Sequence, residues 1–175
     1  MKKTMTVNIT GTALCMAMGL VLPVFFHMFG AGPTLLPMHI PVLLCGFVFG
    51  WPYGAICGLI VPLLSSIITG MPPIFPTAAA MMLEICTYGA LTGLFYQKLK
   101  WNVYPALISA MIGGRIVSGI ANAVFMNMAD KSYGLAVFIS GSFVQALPGI
   151  LIQIILIPVL VIALEKAKII HRVKA

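Results

Sequence analysis

From Leu35 to Pro76, "LLPMHIPVLLCGFVFGWPYGAICGLIVPLLSSIITGMPPIFP", the chain carries no acidic or basic side chain, only the lone His39. Prolines and glycines interrupt the stretch throughout, so it cannot be one long helix. It reads instead as short apolar helices joined by irregular backbone. Of the 175 residues, 61% are hydrophobic and 7% are charged. A soluble domain has about 25% charged residues, so this chain cannot cover a water-facing surface. It reads as an integral membrane protein.

A net charge of +7 does not mark a nucleic-acid face, because the cations do not form a patch. They cluster at Lys2–Lys3, at Lys98–Lys100 and from Lys166 to Lys174, at chain ends and in one loop. The opening "MKKTMTVNITGTALCMAMGLVLPVFF" has the look of a signal peptide, but further apolar spans follow it, and it is expected to stay as a helix. Cys15, Cys45, Cys57 and Cys86 lie in apolar runs without metal-like spacing, which predicts small buried residues and no metal site.

The pattern predicts a single all-α membrane domain over 1–175 with six spans: Ile9–Phe29, Pro37–Phe49, Tyr53–Thr69, Thr77–Gln97, Val103–Asn127 and Ile139–Lys166. A full crossing takes about 20 residues, so the second span is short and the sixth long. Positive residues orient the bundle. Lys2, Lys3, Lys98, Lys100, Lys166, Lys168, Arg172 and Lys174 all fall on one side, with only Asp130 and Lys131 on the other. Both termini are therefore expected inside. Trp101 falls at the inner interface, and Trp51 reads as an inner anchor.

The outer loops Gly30–Leu36 and Gly70–Pro76 are uncharged and rich in Pro and Gly. Apolar irregular backbone is tolerated near a membrane when it packs on protein or lines a cavity. They read as two lids over a pocket. Two formally charged residues lie deep in spans, Glu84 at about 10 Å and Arg115 at about 18 Å from the outer helix ends. Burying each in a membrane is costly, so each should face protein or a cavity. They either pair with one another or contact a polar ligand. Arg115, Ser118 and Asn122 share one helix face. Ser142, Gln145 and Gly149 share another, with Gln153 one turn further in, and His39 stands beside the first lid. Polar groups under apolar lids describe a small-molecule pocket. On the first span, Ala13 and Ala17, with Gly11 and Gly19 nearby, form a small-residue stripe suited to close helix approach, either within this chain or by a separate membrane protein.

"LPMHIPVLLCGFVFGWPYGAICGLIVPLLSSIITGMPP", continuing into "FPTAAAMMLEICTYGALTGLFY", resembles the S components of energy-coupling factor (ECF) transporters, which capture vitamins at the bacterial cell membrane. The resemblance extends over the whole chain and lies nearest to S components for pantothenate, with pyridoxine-type relatives further off. It implies an S-component-like bundle whose outer loops cap a pocket; the residues read above as facing that pocket, Arg115, Glu84, Asn122, Gln145, His39 and Ser118, are then expected to hold the substrate. It implies that Ala13-x-x-x-Ala17 meets a transmembrane coupling subunit (EcfT-type). Two ABC ATPases (EcfA-type) then use ATP on its behalf, and the S component topples in the bilayer as it docks. The chain itself has no G-x-x-x-x-G-K-[ST] loop and is not expected to hydrolyse ATP or need a cofactor.

Two other classes compete. A membrane enzyme needs a nucleophile–base pair, a metal cluster or paired carboxylates, and there is one membrane acid and no H-E-x-x-H. A homo-oligomeric channel needs polar rings through the whole bilayer, whereas polarity here is confined to the outer half.

Overall fold

The computed structural model describes residues 2–28, 30, 32–129 and 133–167. Apart from the connecting turns, the described residues are helical, and none forms a strand. In order they form α1 (Lys2–Met28), α2 (Gly32–Leu35), α3 (His39–Phe49), α4 (Trp51–Thr69), α5 (Ala79–Gly93), α6 (Val103–Met128), α7 (Leu135–Ile139) and α8 (Leu147–Lys166). A π-helical turn at Leu94–Lys98 extends α5 at its C-terminal end, while Ile74–Ala78 leads into α5 through a kink at Phe75, whose backbone is extended (φ −127°, ψ 136°). Asp130, Lys131 and the basic tail 168–175 lie outside the described residues.

Five helical stretches are long and apolar enough to cross a membrane: Met5–Met28, Trp51–Thr69, Ile74–Lys98, Val103–Met128 and Leu147–Lys166. They cover the first and the third to sixth of the expected spans, and the second is short, as its length in the sequence predicts. The second is α3, an 11-residue helix only about 16 Å long. It ends at Gly50, whose φ of 94° is left-handed. The Gln97 side chain donates to the carbonyls of Phe47 and Val48, at 2.7 Å each, and so closes the α3 C-terminus without further helical turns. Such a short helix survives because neighbours shelter it: Val42, Leu43, Cys45 and Phe47 are fully buried.

The sixth expected span is also broken. α7 runs into a π-helical turn at Ser140–Gln145, and α8 begins only after Ala146. Pro148, at the start of α8, lacks the N–H that would continue the ladder from the preceding turn. The first helix, by contrast, starts earlier than expected, at Lys2.

Polarity across each long helix is inverted relative to a soluble bundle. On α6 the outward row is Ile108, Ile112, Ile116, Ile120 and Val124, all exposed. The inward row contains Ala106, Ala110, Gly114, Arg115, Ser118 and Ala121. On α8 Leu147, Leu151, Ile155 and Val159 face out, and Gly149, Gln153, Ile157 and Val161 face in. Lipid gives no hydrophobic drive between helices, so close van der Waals approach must hold them. The matched pair Gly54 and Gly89, flanked by Gly58 and Gly93, supplies it at the α4–α5 seam. A Cβ on Gly54 would strike the Gly89 backbone and one on Gly89 the Gly54 backbone. A Cβ on Gly58 would strike Ile85 and Cys86, and one on Gly93 would strike Gly50 and Trp51. Gly46 of α3 also abuts the Gly89 carbonyl, so α3, α4 and α5 meet nearly backbone to backbone.

α1 lies at the edge of this unit. Its inward row is Thr12, Cys15, Gly19 and Pro23; Gly11 receives the Phe49 ring and Gly19 the Val61 side chain. The cysteine expectation holds for Cys15, Cys45 and Cys57, which are free and buried, while Cys86 is half-buried.

Candidate functional site

α5 places Glu84 in the bundle interior, with the carboxylate 6% exposed. Three donors converge on it. Arg115 Nη1 lies 2.8 Å from Oε1, the Ser118 hydroxyl donates to Oε2 at 2.7 Å, and the Tyr88 hydroxyl donates to Oε1 at 3.2 Å. Asn122 Nδ2 donates to the Ser118 carbonyl at 2.9 Å and approaches its hydroxyl at 3.3 Å. Arg115, Ser118 and Asn122 thus form the helical row the sequence predicts, and it faces Glu84. The two buried charges cancel, which makes their desolvation tolerable.

His39 joins the cluster from the first turn of α3. It is 2% exposed, its Nε2 is 3.7 Å from Glu84 Oε1, and its ring lies 5.3 Å from that of Tyr88. Neither ring nitrogen has a hydrogen-bond partner, and neither does Arg115 Nε or Gln153 Nε2. Buried polar atoms are nearly always paired, so the unpaired nitrogens of His39 and Arg115, both beside Glu84, are informative.

A cavity of about 390 Å³ lies on the outer side of His39, taking outer and inner from the charge rule. Its walls include His27 of α1, Leu36 and Pro37 of the first loop, Ser65 of α4, and Met71 and Pro72 of the second. Both expected lids therefore border one cavity, and His39 is the cluster residue that borders it too. The first loop reaches α8, where a Cβ on Gly149 would sit 2.8 Å from the Thr34 carbonyl. The second is tied down at its base: Ser65 donates to the Met71 carbonyl at 3.0 Å and Ser66 to the Pro72 carbonyl at 2.5 Å. Beyond that base, Ile74 and Phe75 are exposed, and the Phe75 ring leans on Phe125 of α6 at 5.8 Å.

Gln145 is exposed on the π-helical turn before α8, away from the bonds around Glu84. Tyr88 was not singled out from sequence, although it stands one turn from Glu84. Ala13 and Ala17 are exposed on α1, in a row with the bulkier, exposed Ile9 and Val21. The small-residue stripe therefore divides: Gly11 and Gly19 serve packing within the chain, and the two alanines face outward. Among the described residues no group of three or more His, Cys, Asp or Glu is placed to hold a metal ion.

These features define a multi-pass membrane protein with a small-molecule cavity above a buried polar cluster. The family profile described as "ECF transporter, substrate-specific component" matches residues 7–161, and the chain belongs to that family. Its members are transporter subunits of the cell membrane, not enzymes. They bind a substrate, associate with EcfT and EcfA subunits, and are energised by those partner ATPases. No curated protein and no solved structure matches the chain significantly.

Proposed function

We propose that this S component captures pantothenate, held by Arg115, Glu84, Ser118, Asn122 and His39 beneath the two outer loops. The observation that carries the reading is the group of unpaired buried donors beside a neutralised ion pair. Arg115 spends Nη1 on Glu84 and keeps Nε unpaired, so one guanidinium can serve both the carboxylate partner and a ligand oxygen. The loaded protein then docks through Ala13 and Ala17 on the coupling subunit, with two ATPases supplying the energy. The Glu84–Arg115 pair favours a second reading within the same class. Because it leaves the cluster with no net charge to offer, an uncharged hydroxylated ring of the pyridoxine type also suits it.

Binding of each B vitamin to the purified protein tests this. Wild type should bind pantothenate. Arg115→Ala should weaken that binding by about 2–5 kcal/mol, roughly thirty- to several-thousand-fold. Arg115→Lys should recover part of it, because charge returns without the fork. Unchanged pantothenate affinity in folded Arg115→Ala would remove Arg115 from the site. Tight pyridoxine binding without pantothenate binding would establish the second reading.

A further inference from the structure

We infer that Gln153 of α8 completes the substrate site: its side-chain amide and Arg115 Nε together take the hydrogen-bond-accepting end of the captured molecule, a carboxylate or a carbonyl. The inference rests on the capture reading above.

Leu43, Tyr88, Met111 and Ile157 belong to one buried core cluster. Each stands one helical turn from a polar residue: Leu43 from His39, Tyr88 from Glu84, Met111 from Arg115 and Ile157 from Gln153. By the chain direction of each helix, all four steps lead the same way, inward. The four polar side chains therefore all lie on the outer side of the same apolar cluster. Arg115 of α6 and Ile150 and Ile154 of α8 also border a common groove, so α8 runs alongside α6 through this region.

Gln153 is 1% exposed and its Nε2 has no partner. A leucine or methionine there would fill similar space without an unpaired amide, so the glutamine lacks a packing rationale. The open groups of these four residues also define the ligand chemistry. Glu84 already receives three donors. Arg115 Nε and Gln153 Nε2 can only donate, and a neutral His39 offers one donor and one acceptor. Together they accept an oxygen-rich end and have little for an ammonium or thiazolium group.

The test uses full-length Gln153→Leu and Gln153→Met, with ligand-free melting measured beside the affinities for pantothenate, pyridoxine and thiamine. Both variants should melt at or above the wild-type temperature. Each should bind the vitamin that wild type binds about 10–100-fold more weakly, and thiamine should not bind wild type. Wild-type affinity in both variants would overturn the assignment. So would a lower ligand-free melting temperature in both, which would mark Gln153 as structural. Failure of wild type to bind pantothenate or pyridoxine would count against the cargo proposal, whereas unchanged affinity in the variants of a protein that does bind counts against Gln153 alone.

Discussion

Glu84 carries a negative charge whose stabilisation comes from three side chains and two helices, and this makes it separable from Arg115 by mutation. Glu84→Gln keeps the shape but leaves the Arg115 guanidinium buried without its counter-ion, a loss of about 3–5 kcal/mol. A clear drop in melting temperature should therefore accompany that change whatever the ligand is. If the pair is only structural, pantothenate affinity measured on the folded fraction should stay near wild type; a selective affinity loss places Glu84 against the ligand. Much of this cluster was legible in the sequence. Glu84 and Arg115 stand out because charge is rare in apolar spans, and Ser118 and Asn122 follow from Arg115 by helical spacing. The shared face of Gln145 and Gly149 read from the sequence assumes a continuous helix. The turn ending at Ala146 breaks the phase, leaving Gln145 exposed while Gly149 and Gln153 point inward. His39 and Glu84 are distant in sequence, and no local pattern announces their meeting.

At the scale of elements, α1 and α4 use small residues in opposite ways. Ala13 and Ala17 form a shallow dip on an outward row, which supports the proposal that a partner helix rests there. Ala13→Trp or Ala17→Trp should fill the dip and block close approach. Substrate binding by the isolated subunit should persist while energised uptake falls sharply; uptake at the wild-type rate in both variants would dismiss the docking assignment. The glycines of α4 and α5 make a seam inside the chain. Its signal was present as two Gly-x-x-x-Gly repeats, Gly54 to Gly58 and Gly89 to Gly93. Their pairing depends on which faces meet, which one helix pattern cannot specify. The shortness of α3 was legible in its length, but the Gln97 side chain that closes its C-terminus comes from a distant part of the chain, which no local pattern announces.

For the molecule as a whole, the two outer loops and the end of α1 border the cavity from different sides, and the capping proposal predicts that the loops close over it as it fills. The hydroxyl bonds from Ser65 and Ser66 hold the second loop at Met71 and Pro72, and movement should therefore concentrate nearer Ile74. Single cysteines at Thr34 and Ile74, in a background without the native four, should react more slowly with a water-soluble maleimide once the bound vitamin is added. Equal rates with and without vitamin at both positions would argue against capping. The inverted polarity of the bundle has one more outcome, in what substitutions the chain can absorb. Positions such as Ile112, Ile116 and Ile155 ask only for an apolar side chain, and many shapes meet that demand. Gly54 and Gly89 sit where even one methyl group would meet main chain, and main chain cannot change rotamer. Sequence variation that keeps the protein folded should therefore collect on the lipid-facing side, leaving the α4–α5 contact nearly fixed while the outline of the molecule drifts.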